Sequence, residues 1–273
     1  MTVLSLLRAA RITRHLPWLR GLELLRRLYA DVLPFPPGWT SRIDDFDGNL
    51  RLDVDPREFI GIQLWHRPEL FEREERRLFC SAIVPGTTVL DVGANIGIYT
   101  LIAAKRGARV FAVEGDPKNA ARLRHHVALN GFSERVIIFE CAAADRNGTL
   151  TLFRNPINCG GSNCFGGLDP VPVRCRTIDS LNLPPIDICK MDIEGAELSA
   201  LRGMTATIDR SPGLRLLIEY NPKRAPEPLV QFLRSTFADV SVAGGGRIAA
   251  NRSPSGLCNL WLSGPRASSG ASR

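Results

Sequence analysis

Apolar and polar positions fall into two rhythms along the chain. From residue 88 onward, short apolar runs alternate with amphipathic stretches. Thr88-Val89-Leu90-Asp91-Val92 predicts a short buried strand that stops at Gly93, followed by a helix over roughly 97–106. Arg109-Val110-Phe111-Ala112-Val113-Glu114 predicts a second strand. The helix expected over 117–130 closes on Asn130-Gly131, and Val136-Ile137-Ile138-Phe139-Glu140 is a third strand. Residues 147–178 carry Gly- and Asn-rich turns and short strands, an excursion from the sheet. Asp187-Ile188-Cys189-Lys190-Met191-Asp192 is a fourth sheet strand with a helix beginning near Ala196, and residues 214–219 are a fifth. Residues 239–243 and 257–262 predict a closing hairpin across Gly244-Gly245-Gly246. Strands alternating with helices at this spacing predict βαβ units and a parallel sheet.

Before residue 88 the rhythm is less regular. Residues 3–30 predict two short helices broken at Pro17, with Trp18, Leu22, Leu25 and Tyr29 at helical spacing. Residues 33–38 are a Pro-rich linker. Leu50, Leu52 and Val54 suggest a small hairpin within 41–62, turning at Asp47-Gly48, and 68–82 reads as a helix. The expected organisation is an N-terminal helical extension with linker and hairpin over 1–75, an α/β domain over 76–262, and a disordered Ser/Gly/Arg-rich tail over 263–273.

Composition narrows the class. The chain has 273 residues, 44% hydrophobic and 23% charged, as expected of a globular protein with a sizeable core. It holds no run of 18 uncharged apolar residues and no clean signal peptide, so a cytoplasmic protein is expected. The net charge is +7, of which residues 1–30 supply six Arg less one Glu, or +5. That basic segment has three open roles: a helical cap, peripheral contact with anionic membrane, or a cleaved organellar address. The seven cysteines are odd in number and include no C-x-x-C, so reduced and mostly buried thiols are expected rather than disulfides or zinc.

The segment that carries chemistry is Asp91-Val92-Gly93-Ala94-Asn95-Ile96-Gly97, a strand feeding a glycine turn that opens a helix. Ligands of open α/β sheets sit at the carboxyl ends of the strands where strand order reverses, and an acid ending the next strand, here Glu114, can accept hydrogen bonds from both hydroxyls of a ribose. The dinucleotide fingerprint needs a second glycine where this chain has Asn95. A ligand without phosphate does not need that glycine. S-adenosylmethionine is such a ligand, and its positive groups favour acids such as Asp91. A nicotinamide or nucleotide ligand, and a glycine turn with no cofactor, remain open on these residues alone.

Residues 88–97 resemble the first motif of the FkbM family of S-adenosylmethionine-dependent methyltransferases. Val113-Glu114-Gly115-Asp116-Pro117 resembles its second motif. The stretch 187–197 resembles its most distinctive pattern, D-x-x-K-x-D-x-E-G-x-E, with 177–181 also fitting. The resemblance covers roughly 85–225. It implies a class I methyltransferase fold: a Rossmann-like, seven-stranded, mostly parallel sheet with helices on both faces. It implies methyl transfer, usually to a hydroxyl of a saccharide or natural product. It also implies that Asp91, Gly93, Asn95 and Gly97 contact the methionine half of the cofactor and Glu114 the ribose, with adenine near Ala142 and Ala143 and within reach of Asp145.

Lys190 and Asp192, two apart, share a sheet face. Asp192 or Glu194 is placed to take a hydroxyl proton during methyl transfer, and Lys190 to hold a carboxylate or orient the acceptor. Glu194 and Glu197 have the alternative role of favouring a helix N-terminus. Glu219 either faces the acceptor or is a satisfied rim acid, and Asn163 is a candidate cap of the acceptor pocket. A metal held by Asp192, Glu194 and Glu219 is the lesser reading, and none is expected. His125 and His126 are expected on the surface. Nucleic acid is not expected as the acceptor, because the fourth-strand motif lacks an aromatic ring to stack on an extruded base. A non-catalytic binding module is the alternative from another class.

Overall fold

The computed structural model describes residues 38–154, 163, 164, 166, 169–224, 227–246, 248, 254 and 256–266. The two helices expected within 3–30 lie outside them. The described chain falls into two compact units, one ending at Arg73 and the other beginning at Glu74.

The first unit holds a hairpin and a helix. Strands β1 (Ser41–Phe46) and β2 (Leu50–Val54) pair antiparallel around Asp47-Gly48, as the alternation predicts. Helix α1 (Phe59–His66) was not expected. Its sequence Phe-Ile-Gly-Ile-Gln-Leu-Trp-His mixes strand-like alternation with helical spacing, and five of its eight residues are buried.

The second unit is the α/β fold the sequence implies. Helix α2 (Arg73–Ser81) leads into β3 (Thr88–Val92), α3 (Ile98–Lys105), β4 (Arg109–Glu114), α4 (Pro117–Leu129) and β5 (Val136–Glu140). A two-residue strand β6 (Ala142–Ala143) and the hairpin β7 (Gly148–Arg154) and β8 (Asp169–Arg176) form a separate three-stranded sheet in the order β6-β8-β7. Then follow β9 (Ile188–Met191), α5 (Glu197–Arg202), α6 (Thr205–Asp209), β10 (Arg215–Tyr220), α7 (Glu227–Thr236), β11 (Phe237–Val242) and β12 (Cys258–Pro265). The main sheet has seven strands in the order β11-β12-β10-β9-β3-β4-β5. Only the pairings of β12 with β10 and β11 are antiparallel.

Strand order decides where a ligand goes. The chain steps outward from β3 through β4 to β5, then returns to place β9 on the other side of β3. The switch point therefore lies between the carboxyl ends of β3 and β9, and a crevice opens there in such sheets.

Alternation along the strands sends two sets of side chains to opposite faces. Leu90, Val92, Cys189, Met191, Leu216 and Ile218 enter a core built with α5, α6 and α7 through residues such as Leu201, Ile208 and Leu233. The other face carries Asp91 and Lys190, paired in register, and is covered by α3, whose Thr100 bonds Asp91. Phe79 of α2 meets Tyr99 of α3 edge to face with ring centroids 5.0 Å apart.

Two departures concern the end of the chain. The start of the tail expected from Ser263 is strand instead, because Ser263 and Pro265 pair with Asp239 and Phe237 as part of β12; residues 267–273 lie outside the described residues. Helix α7, absent from the expected elements, buries Leu229, Val230 and Leu233 at helical spacing.

Candidate active site at the sheet switch point

The turn after β3 is shaped by backbone conformation. Gly93 has φ of +79°, and a Cβ there would lie 2.0 Å from the Asp192 carbonyl oxygen. Glycine is therefore required both by φ and by the chain from β9 crossing over it. Asn95 follows at φ +51°, left-handed and uncommon outside glycine, and Gly97 at φ +97° opens α3. The Asn95 side-chain oxygen is buried and accepts no hydrogen bond among the described residues.

Glu114 holds this turn. Its Oε2 accepts from the Asn95 N–H at 2.7 Å and its Oε1 from the Asp116 N–H at 2.8 Å. A carboxylate oxygen offers two lone pairs, so each can still accept once more. Glu114 is 8% exposed. Burial outweighs the two N–H groups and pushes its pKa up to about 7. Asp91 behaves likewise: burial raises it to about 6, against the Thr100 hydroxyl, which donates to its Oδ2 at 2.6 Å, and the charge of Lys190.

Lys190 is 3% exposed and is the cation among these acids. Its Nζ donates to Asp192 Oδ2 at 2.9 Å and lies 5.1 Å from the centre of the Tyr99 ring. Lys190 and Asp192 are thus brought together, as their spacing predicts.

Glu194 is turned elsewhere. It sits at φ +56°, its carboxylate pairs with Arg224, and its carbonyl oxygen accepts from Arg224 Nη1 at 3.0 Å. Burial and Asp192 raise its pKa, against Arg224. Glu197 takes the helix-terminus role: its Oε1 accepts from the N–H groups of Ile193 and Gly195, each at 3.1 Å. Glu219 joins the group from β10. Burial, followed by Asp192, Glu194 and Glu197, raises it to about 8.

The two alanines separate. Ala142 is partly exposed and lies against Gly115, where a Cβ would stand 3.2 Å from its Cα. Ala143 is buried in the core of the opposite face. Asp145 pairs with Arg146 at 3.4 Å, and Asn163 bridges Phe153 through its backbone beside β7.

Two further residues hold the turn in place. His126 is 1% exposed rather than on the surface, and its Nδ1 donates to the Ile96 carbonyl at 2.7 Å, tying α4 to the turn. His125 is exposed as expected. The signal was present, since His126 stands on the stripe of Asn119 and Leu123. Arg154 of β7 grips Asp116 with two hydrogen bonds of 2.8 Å, anchoring the small sheet beside the Glu114 turn. The six described cysteines are free thiols, and burial pushes Cys189 far up. Among the described residues no group of three His, Cys, Asp or Glu is arranged to hold a metal ion.

These residues suit a cationic nucleoside better than a pyrophosphate. Asp91, Glu114 and Asp192 line the switch point against one lysine already paired. The free Asn95 oxygen calls for a donor such as an ammonium, and Glu114 retains acceptor capacity for hydroxyls. S-adenosylmethionine carries an ammonium, a sulfonium and a ribose diol, so it fits this donor and acceptor set.

A doubly wound sheet with an acidic, phosphate-averse switch point defines a nucleoside-cofactor enzyme of the class I methyltransferase kind. Residues 91–240 match the Methyltransferase FkbM domain, and the chain belongs to that methyltransferase family. It is 27% identical over 152 residues to the hexuronic acid methyltransferase AglP of Haloferax volcanii, covering 52% of this chain and 61% of the relative. It is 27% identical over 154 residues to the methyltransferase sdnD of Sordaria araneosa, covering 42% and 60%. The chain thus spans about three-fifths of the length of these curated relatives. A solved FkbM methyltransferase from Methylobacillus flagellatus aligns at 21% identity with a TM-score of 0.45, over 73% of this chain and 53% of that one.

Proposed function

We propose that the chain transfers a methyl group from S-adenosylmethionine to a hydroxyl of a saccharide, glycolipid or natural-product acceptor, with the methyltransferase domain at 76–262. The observation that carries this reading is the acidic switch point with its single buried lysine. When bound, the cofactor supplies an activated methyl carbon on a positive sulfur. On this reading Asp91, Gly93, Asn95 and Gly97 hold its methionine half, Glu114 its ribose, and the Ala142 side of the Ala142-Ala143 strand its adenine.

In-line displacement asks the protein mainly for alignment. The ion pair to Lys190 fixes Asp192 at the rim, where it orients the acceptor hydroxyl. Arg224 engages Glu194, which supports a role for Glu194 as a wall of the pocket more than as a free base. The saccharide class draws support from the Haloferax relative, a hexuronic acid methyltransferase by name. The turn Asp192-Ile193-Glu194 offers no ring to stack on a base, which weighs against nucleic acid. No helix among the described residues is long and apolar enough to cross a membrane. We further propose a cytoplasmic protein whose basic residues 1–30 touch anionic lipid, a contact that liposome co-sedimentation after their deletion would test.

The test is transfer of labelled methyl from S-adenosylmethionine into cell extract separated into glycan, lipid, RNA and protein fractions. Label in the glycan or lipid fraction supports the reading. Label confined to RNA or protein overturns the acceptor class. Undiminished labelling by Asp192→Asn removes Asp192 from the mechanism.

A further inference from the structure

Two side-chain oxygens at one edge of the main sheet, Glu219 Oε2 and Asn259 Oδ1, are buried and accept no hydrogen bond among the described residues. They stand on paired strands: Glu219 of β10 lies opposite Asn259 of β12. Directly opposed residues of an antiparallel pair project from one face, with Cβ atoms about 5 Å apart. Lys190 projects from the same face, since it pairs with Leu217, two residues before Glu219. The carboxyl end of β10 is also the edge at which β3 and β9 end. The Asn259 amide nitrogen donates to Glu75 Oε1 of α2 at 3.4 Å, which turns its oxygen away from Glu75.

A buried acceptor left without a donor forfeits the hydrogen bond that water would have given it, which destabilises the empty site. Once Glu219 is ionised, both oxygens are acceptors on one face of the paired strands, and a ligand that donates twice satisfies them together. The groups around Glu219 define that ligand further. Asp192 and Glu194 after β9 and Glu197 of α5 repel negative charge, Lys190 opposes them, and Glu75 of α2 stands behind Asn259. An acceptor's carboxylate or phosphate is unwelcome there, whereas neutral hydroxyls are not.

We propose that Glu219 and Asn259 seat adjacent hydroxyls of a vicinal-diol acceptor, and that Glu219 is the catalytic residue that removes the proton of the hydroxyl to be methylated. This rests on the hydroxyl-methylation reading above and names the part of the site that recognises the acceptor. The O–H bond breaks and its proton moves to Glu219. The hydroxyl oxygen forms the new bond to the methyl carbon, and the electron pair of the broken carbon–sulfur bond stays on sulfur. Asp192, held by Lys190, aligns the hydroxyl. A carboxyl raised by burial and neighbouring acids has the high proton affinity that a base near neutral pH needs.

The test is ligand-observed NMR on the full chain loaded with S-adenosylhomocysteine. The probe is cis-cyclohexane-1,2-diol, with cyclohexanol and cyclohexylamine as controls. Saturable diol contact is expected, weakened roughly tenfold or more by Asn259→Leu and by Glu219→Gln. Asn259→Asp, which keeps an acceptor oxygen, should retain it, and thioether binding should persist in all variants. Absent diol contact, equal diol affinity in Asn259→Leu, or preference for the amine overturns the proposal. Failure of the wild-type chain to bind S-adenosylhomocysteine instead overturns the underlying methyltransferase reading. In methyl transfer, the wild-type rate should climb as pH rises through about 8, while Glu219→Gln should be slow and flat. The same climb in Glu219→Gln would remove it as the base.

Discussion

Replacing Lys190 by Met tests the charge arrangement under the switch point. Lys190 is 3% exposed, and its Nζ donates to Asp192 at 2.9 Å and faces the Tyr99 ring at 5.1 Å. Methionine keeps most of the volume, so the loss is electrostatic. Removing one partner of a buried ion pair costs about 3–5 kcal/mol. Two features place this case at the low end. The Asp192 side chain is 32% exposed and can recover water. Asp91, already raised to about 6, can escape an uncompensated charge by taking a proton. A cost of about 3 kcal/mol follows, or about 6–12 °C in Tm for a domain of this size. The sign of the pH dependence is fixed by Asp91. Losing Lys190 raises its pKa further, so the penalty is largest at pH 8 and shrinks toward pH 5, where Asp91 is neutral in both proteins. Thermal melts followed by circular dichroism at the two pH values measure this, and Asp192→Asn completes a double-mutant cycle with a coupling of about 1 kcal/mol or more. A Tm within about 2 °C of wild type at pH 8, or additive effects in the cycle, would show that Lys190 does not balance these acids.

Other consequences follow from the turn. Glu114→Ala removes acceptors for two hydroxyls and should weaken S-adenosylmethionine and S-adenosylhomocysteine alike, roughly 30-fold or more by calorimetry, since both carry the ribose. Glu114 is an acid whose folded pKa of about 7 lies above its ordinary 4.5, so its contribution to stability falls as pH climbs between those values. Relative to Glu114→Gln, whose side chain does not titrate, the wild type should lose about 3 kcal/mol over that window in denaturant titrations; parallel pH profiles would contradict this. Gly93→Ala combines φ of +79° with a Cβ 2.0 Å from the Asp192 carbonyl oxygen, and should cost more than about 2 kcal/mol or prevent folding. A soluble variant with unchanged Tm would show that the crossing after β9 is looser than described.

The fold was legible where burial imposes continuous apolar runs. Strands β3, β4, β9 and β10 are such runs, β5 is an apolar run at the partly exposed sheet edge, and Asp91, Glu114, Lys190 and Asp192 follow from the strand ends. Helix α1 was hidden because Ile60, Ile62 and Leu64 alternate like a strand while adopting a helix. Helix α7 shows its stripe plainly at Leu229, Val230 and Leu233, but as a short segment between strands it is ambiguous by periodicity. The pairing of Glu194 with Arg224 joins residues 30 apart and left no local trace in the chain. The Glu219–Asn259 pair depends on β12 inserting between β10 and β11, an order no hairpin pattern specifies. Asn95 was legible as a departure from the dinucleotide fingerprint, but its strained conformation and unbonded oxygen emerge only in three dimensions.

A crystal structure of the full chain with S-adenosylhomocysteine would locate the cofactor relative to the turn after β3. The ribose hydroxyls are expected on Glu114 and the amino-acid tail against the turn of residues 93–97. The thioether sulfur should face the crevice between β3 and β9. A nucleoside bound at any other edge of the sheet, or with Glu114 turned away from its sugar, would contradict this placement.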